Sequence, residues 1–467
     1  MGGRTPRPAT GPSIRGMLDI DGLRGAVASG EIDTVLTCFT DMQGRLMGKR
    51  VDGDYFCDEV VDHGLEACDY LLALDMEMEP VAGYRMANWD EGYGDLHLLP
   101  DLATLRRIPW LDRTALVLCD VAFEDGSPVP ASPRQVLQGQ VERARRLGFE
   151  PMIGSELEFY LFDDSYRGAR AKHYRDLQPS VPYILDYHVL ATTMDEDYVG
   201  ALRRGMKGAG LPVEFSKGEA WHGQHELNFR YADALTTADR HVVYKNGAKE
   251  IAHQQGKAVT FMAKPAHDWV GSSCHIHSSL WTLDGDRNLF PAGEGGEPSG
   301  VFGHYLAGLT GVLRDLTVFI APNVNSYKRF ASESWAPTTM AVGRDNRTCG
   351  FRLVGRDDGL RVECRIPGAD ANPYLAFAAI IAAGLHGIEN DLPAPTVFAG
   401  NAYAHEELPR VPSTLREAVA AFEVSTIARA AFGDEVVDHY LTYARTEQRL
   451  FDEVVTCYER ERLFEQT

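Results

Sequence analysis

The sequence predicts an α+β protein of two unequal parts, the larger built on an antiparallel sheet with one functional face. Three observations lead to that expectation. In residues 154–162, GSELEFYLF, Glu156 and Glu158 stand two apart inside a run of strand-forming residues. Side chains at i and i+2 point to the same face of a strand. His275 and His277 in SSCHIHSSL, and Glu363 and Arg365 in RVECRIP, repeat that spacing. In residues 127–149, SPVPASPRQVLQGQVERARRLGF, proline punctuation gives way to an amphipathic helical pattern, so helices alternate with the strands that follow.

Residues 1–17 are rich in Gly, Pro and Arg and lack an apolar core. They are expected to form a disordered tail and not a targeting peptide. From residue 18 the chain mixes short strands and turns. DYLLALDMEME (69–79) is expected to be a strand, and GDLHLLPDLATL (94–105) a strand followed by a turn. Ser132 is a candidate N-cap with Pro133 at the first helical position. The domain boundary is placed just before it, giving an N-terminal domain at 18–125 and a second domain at 126–467. Residues 374–388 form the longest apolar segment. It is Ala-rich, short for a bilayer span, and expected to be a buried helix starting after Pro373.

Composition narrows the function classes. At 467 residues the chain can bury a large core, and its net charge of −21 argues against nucleic acid or an anionic membrane as partner. The eight cysteines are scattered without a CxxC pair, which predicts reduced thiols in a cytoplasmic protein. Cys274 faces away from the His275 side by strand alternation and is assigned to packing.

Two carboxylates on one face of an apolar strand repel each other and resist burial. A bound cation resolves that conflict; an edge strand with its glutamates in water is the alternative. EAWHGQHELNF adds Glu219 and Glu226, seven apart around Gly223. Together the segments supply five carboxylates and at least one imidazole. This donor set suits magnesium or manganese better than zinc.

In their order along the chain these segments resemble the type I glutamine synthetase superfamily. The similarity runs from about Thr37 to the C-terminus and includes CFTDMQGR, GSELEFYLF, EAWHGQHELNF, KNGAKEIAHQQGKAVTFMAKP, SSCHIHSS, APNVNSYKRF and RVECRIPGADANPYLAFAAIIAAG. It implies a small β-grasp domain, then a catalytic domain whose curved antiparallel sheet is flanked by helices and forms a funnel. The activity implied is ATP-dependent amide formation at glutamate's γ-carboxylate. That group is a poor electrophile until phosphorylation gives it a leaving group, and phosphoryl transfer needs cations to hold and neutralise the oxygens.

The resemblance also implies roles. Glu158, Glu219 and Glu226 would hold one Mg2+ or Mn2+, and Glu156, His275 and Glu363 a second. His277, Ser279, Arg352 and Arg361 would contact ATP, with Tyr231 near its adenine. Gly271, Arg329 and Arg365 would bind glutamate, and Arg347 would act on the phosphate. Asp41 would reach an adjacent subunit's site, in a dodecamer of two hexameric rings.

One departure from the pattern is sharp. Six residues past Arg329, where ammonia-using members carry a flap glutamate, stands Trp335. Indole only donates a hydrogen bond and cannot take a proton from ammonium. Glu333, two residues earlier, is the candidate substitute. The departure implies a larger, carbon-bearing amine, and the chain resembles ligases that join glutamate to primary organic amines. Ethanolamine or a similar small amine is preferred over a polyamine. An ammonia-using glutamine synthetase and a non-catalytic sensor or assembly protein are the alternatives.

Overall fold

Two β-sheets organise the chain. The structure, a computed structural model, describes residues 15–90, 92–184, 186–292 and 298–467. The first sheet contains β1 (Thr34–Thr40), β2 (Leu46–Asp52), β3 (Leu65–Cys68), β4 (Asp95–Arg107) and β5 (Thr114–Ala122), in the order β2-β1-β5-β4-β3. Its central pair, β1 and β5, is parallel; the other pairs are antiparallel. Alternation assigns the faces. Val35, Ala115 and Val117 pack with Leu23 and Phe56 on one side, while Leu36, Leu116 and Leu118 join the main core on the other.

The second sheet has nine strands: β6 (Glu150–Phe162), β7 (Val213–Gly218), β8 (Gln224–Phe229), β9 (Ala232–Asp233), β10 (Ala258–Thr260), β11 (Cys274–Trp281), β12 (Val342–Arg344), β13 (Phe351–Val354) and β14 (Arg361–Cys364). The path is β12-β13-β14-β11-β6-β8-β7, with β9 and β10 also pairing with β6. Every pair is antiparallel except the short β12–β13 pair. Leu157, Cys274, Ile276, Phe351 and Val362 lie in the buried core, so Cys274 does pack away from His275. The helix Pro373–Glu389 is almost entirely buried, and the Asn372 side chain accepts from the Tyr374 N–H at its start. No helix among the described residues is long and apolar enough to cross a membrane.

Three local expectations are corrected. Residues 69–79 are not a strand: a 3-10 turn spans Asp69–Leu72, and Leu72, Ala73 and Leu74 are buried in succession after it. The Asp69 carboxylate accepts from the Gly94 N–H at 2.9 Å and fixes this path. The turn expected after Pro100 is absorbed as a bulge between Asp101 and Arg106 within one strand. Asp101 Oδ1 accepts from the Ala103 N–H at 3.1 Å there, a local bond that competes with the ladder. Of the expected disordered tail, residues 1–14 lie outside the described residues, but 15–17 are already joined to the fold. The Arg107 N–H donates to Gly16 O at 2.8 Å, and Met17 bridges to Arg106.

The helix Pro133–Arg146 starts where expected, although the Ser132 side chain makes no capping bond. Its Arg134 ties the two parts together. The buried guanidinium donates to Asp120 of β5 at 2.5 Å and to Asp101 of β4 at 2.6 Å. It also holds Asp239 of the helix Ala234–Gln254 through bonds of 3.1 and 3.0 Å, and Tyr374 donates to the same carboxylate at 2.6 Å. Removing one partner of a buried ion pair strands the others and costs about 3–5 kcal/mol. Arg134→Met should therefore lower the unfolding free energy by about that amount, read as the shift in the denaturation midpoint. A loss below about 1 kcal/mol, as for an exposed pair, would remove Arg134 from this role.

Candidate active site

The strand register assembles one polar face from five strands. His275 pairs with Glu156 across β11 and β6, Glu158 with Glu226 across β6 and β8, and His277 with Glu363 across β11 and β14. Glu363 in turn faces Arg352 of β13. Glu219 follows β7, where its N–H donates to Gln224 O at 2.8 Å and closes a tight hairpin. Gly223 sits in that hairpin at φ 64°, and a Cβ there would lie 2.7 Å from Leu161 O.

The six acidic and histidine residues singled out from the sequence fall into two groups. Glu156, His275 and Glu363 form one, Glu158, Glu219 and Glu226 the other. Within each group the candidate ligand atoms lie within 4.8 Å of one another. All six line one cavity of about 500 Å³.

The two groups are neutralised differently. Glu363 accepts from Arg365 Nη1 at 2.5 Å and Arg352 Nη1 at 2.9 Å. Burial acts to raise its carboxyl, but His275 and Arg365 outweigh that and hold it at about 2. Glu156 is half-buried, and the bonds from His275 and His277 hold it well below the usual carboxylate range. Arg361 Nε donates to His277 Nδ1 at 3.0 Å, so Nε2 carries the proton that His277 donates to Glu156 at 2.9 Å. Burial, then the nearby Arg365 charge, push His275 down to about 4, so a ring lone pair is free at neutral pH.

The second group holds more negative charge than its surroundings balance. Burial and Glu219 push Glu158 up to about 7. Burial and Glu226 push Glu219 up to about 8. Burial raises Glu226 as well, against the opposing charge of Lys217. Glu158 accepts from the Ser273 N–H at 2.8 Å and Gln224 Nε2 at 3.2 Å, and Glu226 from Asn228 at 2.6 Å. Three carboxylates crowded in a buried site, with lone pairs to spare, are a fitting donor set for a hard divalent ion.

Two cavities meet at this face. One of about 340 Å³ is lined by Tyr231, Trp281, Phe215, His277, Ser279, Arg361 and Glu156. The 500 Å³ cavity takes in Gly271, Arg329, Arg347, Arg352, Arg365 and Trp335. Gly271 is required by close approach, since a Cβ would lie 2.7 Å from Arg329 Cγ. Arg329 is buried and donates to Ile366 O and Ser273 Oγ, each at 2.8 Å. Arg352 lies on this side and not with the Tyr231 group.

Two expectations fail on geometry. The Asp41 carboxylate is 1% exposed and closed on its own chain. Oδ1 accepts from the N–H groups of Gln43 and Arg45, and Oδ2 from Arg45 Nε at 2.6 Å. Within its own chain this carboxylate faces Arg45 and does not line the cavity. Glu333 does not line the cavity; its neighbours Ser334 and Trp335 do. Sequence reasoning also missed Lys217, Tyr187 and Asp186, which line the same cavity. Lys217 stands two residues before Glu219, the same spacing as the pairs that were recognised.

Comparison with known proteins places this geometry in a family. Residues 130–463 match the glutamine synthetase catalytic domain. The chain is 52% identical over 448 residues to the gamma-glutamylethanolamide synthetase GlnA4 of Streptomyces coelicolor, covering 96% of each chain. It is 39% identical over 421 residues to the glutamate–isopropylamine ligase of a Pseudomonas species, covering 90% of this chain and 92% of that one. The solved structure of GmaS with ADP superposes with a TM-score of 0.82 at 30% identity, covering 95% of this chain and 99% of the other. The two-sheet architecture, the paired acidic clusters and these similarities lead to one conclusion: the chain belongs to the glutamine synthetase family.

Proposed function

We propose that this protein is an ATP-dependent ligase that joins the γ-carboxylate of glutamate to a primary organic amine. The observation that carries this reading is Trp335, an indole at the lining of the cavity that also holds both acidic clusters. An indole offers a cationic amine about 0.5–2 kcal/mol of cation–π attraction and no proton acceptor. An organic amine can also bury carbon, at roughly 0.8 kcal/mol per CH₂. The relatives named as ethanolamide and isopropylamine ligases support the same class of acceptor. A small amine such as ethanolamine is preferred over a polyamine.

The chemistry has two steps. A γ-carboxylate oxygen attacks the terminal phosphorus of ATP and expels ADP. The amine nitrogen then attacks the acyl carbon, phosphate leaves, and the nitrogen gives up a proton. Tyr231, Ser279, His277 and Arg361 line the nucleotide's cavity. Gly271, Arg329 and Arg365 border the glutamate. Arg347 and Arg352 stand where charge spreads onto the transferred phosphoryl oxygens. Glu158, Glu219 and Glu226 would hold one divalent ion, and Glu156, His275 and Glu363 another; bound there, Mg2+ or Mn2+ supplies charge neutralisation for phosphoryl transfer. Among the described carboxylates lining the cavity, Asp186 alone belongs to neither cluster. It is the group assigned to attract the incoming ammonium. Assembly into two stacked hexameric rings and a cytoplasmic location belong to the same proposal; light scattering that finds an active monomer would remove the rings.

Two outcomes are expected. In steady-state assays of phosphate release with glutamate and ATP, wild type should prefer ethanolamine to ammonium, with putrescine and a bulkier monoamine weaker. Trp335→Glu should move the kcat/KM ratio toward ammonium by about tenfold or more, since a positioned base contributes typically 10²–10⁴-fold. A wild type that prefers ammonium, or a ratio that Trp335→Glu leaves unchanged, would sink the proposal.

The second outcome concerns metal and pH. The folded chain holds protons on Glu158, Glu219 and Glu226 that the unfolded chain releases near its ordinary 4.5. The unfolded state then binds fewer protons, so stability falls as pH rises between about 4.5 and 8. Metal-free protein should melt at progressively lower temperature from pH 6.5 to pH 8, above the range in which His275, held near 4 in the fold, gives the opposite slope. Saturating Mg2+ should restore more of the melting temperature at pH 8 than at pH 5.5. A Mg2+ effect that is equal at both pH values would contradict the assignment.

A further inference from the structure

Glu363 in one acidic cluster is held by two arginines, whereas the three carboxylates of the other cluster depend on a lysine. Among the described residues, Lys217 is the one Lys or Arg side chain ion-paired with Glu158, Glu219 or Glu226. Its place is built into the sheet. Lys217 lies near the end of β7 directly across from Glu226 of β8, and its ammonium donates to Glu219 Oε1. Its positive charge also acts on Glu226 and Glu158. The same ammonium stands 4.5 Å from the centroid of the Tyr187 ring. Lys217 and Tyr187 both line the 500 Å³ cavity, on which the carboxylates open.

We propose that Lys217 is a tethered cation of this cluster: it holds Glu219 while no divalent ion is bound, and yields Glu219 to the ion while keeping the Tyr187 ring face that it already covers. The proposal rests on the assignment of Glu158, Glu219 and Glu226 to a divalent ion. A divalent ion and an ammonium compete for the charge of one carboxylate, and like charges at such range repel. The lysine is suited to leave, because its charge is a compact group on a flexible four-carbon stem. The electron-rich face of Tyr187 gives the displaced charge a partner inside the same cavity. The cluster is therefore never bare, and the cost of displacing the lysine is subtracted from metal affinity at this site.

The test uses the full chain without nucleotide, with Mn2+ as probe, titrated calorimetrically and by the loss of the free-ion paramagnetic signal. Lys217→Met should bind one Mn2+ about tenfold tighter than wild type, the competing charge being gone. Lys217→Arg keeps the charge and should stay near wild type. In wild type, amine-directed acetylation at position 217, mapped by mass spectrometry, should rise when Mn2+ is added. If wild type binds Mn2+ but Lys217→Met binds it no tighter, the tethered-cation role is overturned while the metal assignment stands. If wild type binds no Mn2+, both fall. Should Lys217→Met fail to fold, the labelling of wild type decides alone, and unchanged labelling overturns the proposal.

Discussion

The structure is organised around one electrostatic constraint: five carboxylates, Glu156, Glu158, Glu219, Glu226 and Glu363, are gathered at one cavity, and three of them, Glu158, Glu226 and Glu363, are buried. Such a concentration is unstable unless cations face it. The sheet register answers part of the demand by setting Arg352 opposite Glu363, while His275, opposite Glu156, contributes a hydrogen bond. The neighbouring strand ends supply the rest, with Lys217 on one side and Arg365 on the other. The opposite faces of the same strands are free to be apolar, and Leu157, Cys274 and Ile276 anchor them in the core.

The asymmetry between the clusters follows from which cations are available. Arginines fork onto Glu363 and keep it ionised. The other three carboxylates retain a charge deficit, and their protons are held correspondingly tightly. Relations between the two sheets depend on similar chemistry. Arg134 draws together carboxylates from β4, β5 and the helix behind the second sheet, so a buried ionic knot fixes the smaller sheet against the larger.

Much of this was legible because strand alternation is local. Glu156 and Glu158, or His275 and His277, announce a shared face from their spacing alone, and the second sheet is antiparallel as those pairs imply. Pro133 and Pro373 likewise sit at the starts of the helices expected there. What was illegible depended on partners distant in sequence or on irregular backbone. Asp69 bonds across 25 residues to Gly94, which turns an apparent strand into a 3-10 turn. The Asp41 motif reads like a site residue, but Arg45 four residues later captures it. Lys217 escaped notice because Glu219 lies just past the end of β7, where alternation ceases to be a guide. Asp186 and Tyr187 sit in irregular chain, with no periodicity to mark them.

Glu156 borders both cavities, as does Phe215 beside it. A carboxylate shared in this way is a point of thermodynamic linkage. Whatever arranges Glu156 from the nucleotide side changes the free energy of filling the other side. The reverse change must be equal in size, because coupling between two binding equilibria is reciprocal. Ligands in the two cavities would thus report on each other through a single side chain, and the wall between the cavities is also the wire between them.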